Sequence, residues 1–144
     1  MLQDFLLKQG YTKIKLHLTK TNHFEIIAKI NGVKGLFILD TGASNSCVDF
    51  DTADLFKLKV EESDVKAAGA GATDMKTQTS KKNKFSIGKW KDTKTVLVLF
   101  SLTHVNKALT THRSKPVHGI IGADILKKGK AVIDYEKKYL YLKL

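Results

Sequence analysis

The chain has 144 residues, of which 42% are hydrophobic and 8% aromatic, and its formal net charge is +11. These values predict one globular domain over residues 1–144, with a core that needs neither a metal nor a disulfide. No apolar run approaches the roughly 20 residues that span a bilayer, which argues against a membrane protein. The first residues lack the features of a secretory leader, and the single cysteine, Cys47, cannot form an internal disulfide. We therefore expect a cytoplasmic protein.

The surplus of positive charge raises the question of nucleic-acid binding. Of the 25 basic residues only Arg113 is an arginine, and the lysines are spread from Lys8 to Lys143. Proteins that read bases or phosphates rely on the bidentate geometry of arginine and on a concentrated basic stripe. The pattern therefore disfavours a nucleic-acid partner and indicates a solvated surface, and the charge would favour acidic substrates or partners.

Apolar periodicity predicts a mostly β chain with brief helices. A helical spacing over Leu2–Lys8 changes to a period of two from residue 11, and the pair Asn31-Gly32 predicts a tight hairpin into a strand over Val33–Leu39. Residues 51–58 predict one or two helical turns, and Ala123–Lys128 predicts a short helix. Residues 101–111 predict a loop with a helical turn. The other strands are predicted at residues 11–18, 24–27, 84–87, 95–100, 117–121, 131–135 and 139–144, a pattern typical of a barrel.

Two short motifs carry most of the functional information. Asp40-Thr41-Gly42-Ala43 follows an apolar strand, and Ile120-Ile121-Gly122 comes much later in the chain. Asp, Thr and Gly are ordinary turn residues, so the tripeptide alone would be weak evidence. Together, however, the two motifs and the preceding Asn31-Gly32 hairpin resemble the retropepsin-like aspartic proteases. The resemblance covers about residues 24–144 and leaves residues 1–20 as an N-terminal extension. It implies a mostly β, retropepsin-like acid-protease barrel with one or two short helices.

The resemblance implies that Asp40 is the catalytic residue of an aspartic endopeptidase. Such a site holds two facing carboxylates that share one proton, so that one activates a water molecule while the other protonates the peptide carbonyl. Because the chain has only one Asp-Thr-Gly, the resemblance implies a homodimer with an Asp40 from each copy at its axis. It implies no cofactor and no metal, and the remaining partner would be a peptide or protein substrate.

The same resemblance implies roles for the residues next to Asp40 and for the second motif. Thr41 would hydrogen-bond across the dimer axis, Gly42 would allow a tight turn, and Ala43 would leave room for substrate. Ser44 and Asn45 would line the cleft. The apolar pair and glycine of the second motif, which are Ile120, Ile121 and Gly122, would pack beneath the loop.

Residues 67–73 are small, include two glycines and occupy the place of the retropepsin flap, a hairpin that closes over the substrate. The resemblance implies that backbone groups there bind the peptide. The implied residues are Ala68, Gly69, Ala70 and Gly71. An ordinary glycine-containing hairpin is the alternative, and a phosphate-binding loop is disfavoured because no Gly-Lys-Ser/Thr follows.

The chain departs from the viral type at one position that matters for the dimer. Ala123 stands where those enzymes often have an arginine that supports the dimer, so the contact between copies is expected to be built differently. Asp124 and Asp134 are not followed by Thr/Ser-Gly, which predicts structural or surface roles for both. Cys47 has no cysteine-protease signature around it and is predicted to be a small buried hydrophobe. The histidines lack the spacing of zinc ligands.

Hypotheses from different classes remain open. The first is a homodimeric aspartic endopeptidase, and the second is a non-catalytic retropepsin-like binding or dimerisation module. The intact motif favours the enzyme, because holding a carboxylate against its own copy costs stability that only function would justify. A third hypothesis is a lysine-rich domain that binds acidic polymers, which would show a steep salt dependence.

Overall fold

The computed structural model describes residues 1–62, 67–69 and 72–144. It contains a short 3-10 helix at Phe50–Thr52 and three α-helices, namely α1 (Leu2–Lys8), α2 (Thr103–Thr111) and α3 (Ala123–Lys128). The strands are β1 (Tyr11–Lys15), β2 (His17–Leu18), β3 (Phe24–Ile30), β4 (Val33–Leu39), β5 (Cys47–Asp49), β6 (Glu61–Glu62), β7 (Ala67–Gly69), β8 (Ala72–Met75), β9 (Gln78–Ile87), β10 (Trp90–Phe100), β11 (Gly119–Ile121), β12 (Val132–Asp134) and β13 (Tyr139–Lys143).

Most strands belong to one sheet that closes on itself. Its order is β2-β3-β4-β11-β5-β10-β9-β6, and β3 also pairs with β9. The additional pairing joins Lys29 to Ser86 and Ile30 to Phe85, which closes six of the strands into a barrel. The mostly β, barrel-like fold predicted from the sequence is therefore confirmed.

Two smaller sheets accompany the barrel. The first has the order β1-β13-β12, so that β12 lies at one edge. The second consists of β7 and β8, which pair antiparallel with Gly69 opposite Ala72. Within the part of the chain that the structure describes, no helix is long and apolar enough to cross a membrane.

The interior of the barrel is filled by alternate residues of its strands. In β3 the residues Phe24, Ile26, Ala28 and Ile30 are buried, whereas the residues between them face outward. The ring of Phe37 in β4 packs against those of Phe56 and Phe85, with centroids 6.1 and 5.8 Å apart. Strict alternation fixes the register, because a slip of one residue would turn every buried side chain outward.

The hairpin between β3 and β4 is built as the sequence predicts. Asn31 and Gly32 have φ values of 51° and 83°, the left-handed conformation that both residues tolerate well. The side chain of Asn31 reaches further, because its Nδ2 donates to the Phe56 carbonyl at 2.7 Å and to Asn83 Oδ1 at 3.1 Å. The turn is thus bound to neighbouring segments of the barrel.

One local prediction is wrong. Residues 101–111, predicted as a loop with a helical turn, contain the nine-residue helix α2. Leu109 of α2 packs with Ile38 and Val117, and Val105 packs against the same cluster. This apolar stripe at helical spacing buries one side of α2 against the sheet, which stabilises a helix whose threonines have low intrinsic propensity.

Candidate active site

Asp40 directly follows β4, and the end of that strand is tied to β11. The two strands run parallel with Ile121 opposite Leu39, and the Asp40 N–H donates to the Ile121 carbonyl at 2.9 Å. β11 also pairs antiparallel with β5, so it lies between the two strands that flank residues 40–46. This segment, which we call the Asp40 loop, therefore crosses the end of β11 and takes its position from it.

The Asp40 carboxylate is exposed and is oriented by its own loop. Its Oδ1 accepts a hydrogen bond from the Gly42 N–H at 2.9 Å, and the Asp40 carbonyl accepts one from the Ala43 N–H at 3.2 Å. A Cβ on residue 42 would lie 3.3 Å from Asp40 Oδ1, which is tighter than most contacts of real Cβ atoms. Glycine therefore lets the amide approach the carboxylate closely.

The second motif supports the Asp40 loop from below. The Ala123 N–H donates to the Ala43 carbonyl at 2.7 Å, and the Gly122 N–H donates to Ser46 Oγ at 2.8 Å. A Cβ on Gly122 would lie 2.6 Å from the Ala43 carbonyl oxygen, a distance that real Cβ atoms essentially never show. The glycine is thus required because two backbones meet at this point.

Asp124 fastens the end of the Asp40 loop. Its Oδ1 and Oδ2 accept hydrogen bonds from the Ser46 N–H at 2.9 and 3.0 Å, and its Oδ1 also accepts one from Ser46 Oγ at 2.7 Å. Ser46 is fully buried, and its hydroxyl oxygen simultaneously accepts from the Gly122 N–H. Hydrogen bonds to a carboxylate are short and strong, so this cluster joins the loop firmly to the start of α3.

The structure places the other predicted site residues as follows. Thr41, Ser44 and Asn45 are exposed on the Asp40 loop, and Ala43 is half-buried. Ile121 is fully buried inside the barrel, whereas the half-buried Ile120 contacts the clusters beneath α2. Of the four residues predicted for the flap, Ala68 and Gly69 lie in β7. The other two, Ala70 and Gly71, are outside the described residues.

An apolar pocket of about 370 Å³ opens beside Asp40, and we call it the Asp40 pocket. Its apolar walls come from β4, β11 and α2, which contribute Ile38, Ile120, Val105, Ala108 and Leu109. Three polar residues, Thr21, His23 and His104, complete the lining. Such a pocket is well suited to hold one large apolar side chain next to the carboxylate.

Sequence reasoning missed the contribution of α2 to this pocket. Leu102, Val105 and Leu109 recur at spacings of three and four, which is the signal of an amphipathic helix. The signal is weak because residues 103–112 also contain five threonine and histidine residues, which are poor helix formers. His23 could not be assigned either, because only the fold brings it near Asp40.

Cys47 is close to the site but is not a nucleophile. Burial raises the pKa of its thiol from 9.0 to about 12, and the nearby carboxylates of Asp124, Asp40 and Asp49 raise it too, while a backbone hydrogen bond with Ile120 lowers it. The thiol therefore stays protonated at neutral pH. In residues 1–62, 67–69 and 72–144, no three His, Cys, Asp or Glu side chains are grouped as metal ligands.

The surface beside Thr41 borders the edge strand β12. Two shallow cavities of about 210 and 250 Å³ flank Thr41, and Ile133 of β12 lines both of them. Tyr135, which follows β12, lines the first cavity, is 68% exposed and packs its ring 5.0 Å from that of Phe24.

Comparison with known proteins identifies the family. The family model described as aspartyl protease matches residues 26–125, which is more than half of the chain. The chain belongs to this family. The retropepsin-like character inferred from the two motifs is thereby confirmed. No curated protein matches the chain.

Solved structures show the same fold at low sequence identity. A retropepsin-like aspartic protease from Rickettsia conorii is 22% identical, with a TM-score of 0.56 over 92% of this chain and 91% of that one. The EIAV protease in complex with the inhibitor HBY-793 is 20% identical, with a TM-score of 0.57 over 76% of this chain and 90% of that one. The retroviral protease-like domain of Ddi1 from Leishmania major is 17% identical, with a TM-score of 0.54, and the similarity covers 82% and 86% of the two chains.

Proposed function

We propose that this aspartyl protease is a homodimeric endopeptidase in which each copy contributes one Asp40. The observation that carries the proposal is an exposed carboxylate held by a rigid loop at the mouth of an apolar pocket. One carboxylate cannot be both base and acid for the same step, and the chain has only one Asp-Thr-Gly. A second copy related by a two-fold axis supplies the missing partner.

In the proposed mechanism the two Asp40 carboxyls share one proton, because two adjacent negative charges would repel each other strongly. The ionised carboxylate removes a proton from a water molecule as the water oxygen attacks the peptide carbonyl carbon. The protonated carboxyl gives its proton to the carbonyl oxygen, which produces a neutral tetrahedral diol. Collapse of the diol returns a proton from one hydroxyl and delivers another to the departing nitrogen, so the carbon–nitrogen bond breaks and the dyad is restored.

We propose that the two-fold contact forms around Thr41, Ile133 and Tyr135. These three residues line a cavity that also includes Asp40, and β12 lies at the edge of its sheet in the part of the chain that the structure describes. Burial of exposed aromatic surface would drive association, and burial of the edge would satisfy its backbone groups. The contact would need no arginine at position 123, where Ala123 stands.

The Asp40 pocket suggests what the enzyme cleaves. Its size and apolar walls suit a large apolar side chain next to the scissile bond, such as Leu, Met or Phe. We further propose that the β7–β8 pair acts as a flap and binds the peptide through backbone groups, with Gly69 among the contacting residues. Thr41, Gly42 and Ala43 then shape the catalytic loop, and Ser44 and Asn45 line the cleft.

We also propose that residues 1–144 act as one domain in a reducing compartment. The free thiol of Cys47 is buried, which suits the cytoplasm better than an oxidising environment.

The decisive experiment combines hydrolysis with association. Purified protein should cleave a fluorogenic peptide that has Leu or Phe at the scissile bond, and it should sediment as a dimer at the concentration where it is active. Asp40→Asn should abolish cleavage and keep the melting temperature, because Asn has nearly the same size and can still accept from Gly42. A monomer at every concentration, or equal activity in Asp40→Asn, would reject the proposal. Peptide binding without any cleavage by the unaltered protein would favour the non-catalytic module.

A further inference from the structure

A second concave surface lies on the outer side of β3 and β4, apart from the Asp40 pocket. It encloses about 670 Å³, and none of its lining residues lines the Asp40 pocket. Its lining comes from β2, from the outward residues of β3 and β4, and from the segment after α2. We call it the basic groove. Three apolar residues form its floor, namely Leu18, Ile27 and Leu36, and four cationic residues form its rim, namely Lys20, Lys34, Arg113 and Lys115.

The floor of the groove is apolar and open. Ile27 and Leu36 are directly paired across β3 and β4, and their side chains point away from the barrel interior. Ile27 is 45% exposed and Leu18 is 46% exposed, although both lie in strands where a polar residue would be expected to face water. Exposed aliphatic side chains that share one concave surface indicate a binding site.

The rim of the groove is strongly cationic. Lys20, Lys34, Arg113 and Lys115 are all exposed, and the salt bridges of the described residues involve none of them. Arg113 is also the only arginine of the chain, and it is held in a left-handed conformation with φ of 62° after α2. Four cations around an apolar floor match a ligand that carries both carboxylates and apolar side chains.

Glu25 is the one acidic residue in the lining, and it has an unusual environment. Its Oε2 is buried and has no hydrogen-bond partner among the described residues. This oxygen is closed off from the groove, so the charge that a ligand meets there is set by the four cations of the rim. The cationic rim and the apolar floor together favour a polypeptide with acidic and apolar side chains over a nucleic acid, which has no aliphatic side chains to cover Leu18 and Ile27.

We propose that the basic groove is a docking site for an extended acidic and apolar segment of a protein substrate. The proposal rests on the proposed function, since it treats the ligand as a substrate of Asp40. Leu36 and Lys34 lie four and six residues before Asp40 along the chain, which corresponds to roughly 13 to 20 Å of extended strand. A substrate could therefore occupy the groove and the Asp40 pocket together, with several residues between the two contacts. Docking would raise the effective concentration of the scissile bond.

Binding is measured with the Asp40→Asn protein, which should not cleave the probe, and the measurement is repeated with the unaltered protein. The probe is a labelled 12-residue peptide of alternating Glu/Asp and Leu/Phe, followed by fluorescence anisotropy in about 50 and 200 mM NaCl. We expect binding that weakens with salt. A matched peptide with Lys at the acidic positions, and one with Ser at the apolar positions, should each bind at least about tenfold more weakly.

Paired charge reversals locate the site. Lys34→Glu combined with Lys115→Glu should weaken binding of the acidic peptide by about tenfold or more, because both changes alter the rim. Lys89→Glu combined with Lys91→Glu changes the net charge equally at exposed positions outside the groove and should change binding less than about twofold. Ile27→Ser tests the floor and should also weaken binding. Melting curves verify that all three proteins fold.

The outcomes separate this inference from the proposed catalysis. Equal loss of binding in the two charge-reversal proteins would overturn the docking site, as would equal binding of the Ser-substituted peptide or full displacement by an RNA oligonucleotide. Those results would indicate a non-specific polyanion surface. Loss of cleavage in Asp40→Asn with unchanged peptide binding is expected if both ideas hold. Binding at the groove by a protein that never cleaves any peptide would retain the docking site and reject the protease.

Discussion

Ser46 and Asp124 are 78 positions apart in the chain, yet three hydrogen bonds join them. The serine ends the Asp40 loop, and the aspartate lies in the first turn of α3. Between them, the Gly122 N–H donates to the serine hydroxyl. The position of the Asp40 loop therefore depends on a second acidic residue, which holds the end of the loop.

We predict that Ser46→Ala lowers kcat/KM by about tenfold or more and destabilises the fold by about 1–3 kcal/mol, because it leaves Asp124 with fewer donors in a buried cluster. Asp124→Asn should have a similar effect, since one of its two acceptor oxygens becomes a donor facing the Ser46 amide. Chemical denaturation and peptide hydrolysis measure both quantities. The control is Asp54→Asn, an exposed carboxylate outside the site, which should change neither. Full activity of both site variants would show that the cluster does not position Asp40.

The Asp40 pocket predicts a change in specificity. Ala108 is exposed on α2 but lines the pocket, so Ala108→Phe should fill part of the 370 Å³ without disturbing the core. We expect KM to rise by about tenfold for peptides with Phe or Leu at the scissile bond and to change less for peptides with Ala there. Thr111→Phe, an exposed position on α2 outside the pocket, serves as the control. An equal effect on large and small side chains would mean that the pocket does not receive the scissile residue.

The proposed contact between copies predicts a coupled loss of dimer and activity. Tyr135 is 68% exposed, so Tyr135→Glu should leave the protomer folded while replacing an aromatic ring by a charge in the surface beside Thr41. We expect the dimer dissociation constant to rise by at least about tenfold and activity at low protein concentration to fall in parallel. Val96→Glu introduces the same residue at a 45% exposed position outside this surface and should affect neither. Unchanged sedimentation of Tyr135→Glu would require a different two-fold axis.

The raised pKa of Cys47 predicts chemical inertness. With a pKa of about 12 the thiolate fraction is negligible at neutral pH and grows only as the pH approaches that value. The native protein should therefore resist iodoacetamide at pH 7.5, whereas the denatured protein should be alkylated completely within the same time. Mass spectrometry of the two samples gives the result. Rapid labelling of the native protein together with loss of activity would reopen the question of a cysteine nucleophile.

The barrel and the position of Asp40 could be predicted from the sequence because their signals are local. Asn31-Gly32 sets a hairpin through its own backbone preferences, and the apolar strand that ends at Leu39 is visible as a continuous run. Gly122 was also visible as part of a motif. The sequence did not reveal why it is a glycine, since the close approach to Ala43 exists only after the two segments meet.

The parts that could not be predicted depend on long-range contacts. α2 contains threonines that disfavour a helix in isolation, and packing of Leu109 against Ile38 outweighs that preference. The hydrogen bonds between Ser46 and Asp124 have no local signal in the sequence, because a single serine or aspartate is equally typical of an ordinary polar surface position. The Asp40 pocket is assembled from four separate segments of the chain and was missed for the same reason.

The strand β11 lies between β4 and β5 but comes late in the chain, which affects when the Asp40 loop can form during synthesis. The strand β4, which ends just before Asp40, is translated early. Its partner β11 is translated about eighty residues later, since Leu39 pairs with Ile121. Until this part of the chain leaves the ribosome, the Asp40 loop lacks the Gly122 and Ala123 amides and the Asp124 carboxylate that hold it. Non-local pairing of this kind is slow to form. A nascent chain would therefore lack an ordered Asp40 loop until β11 and the start of α3 have been made.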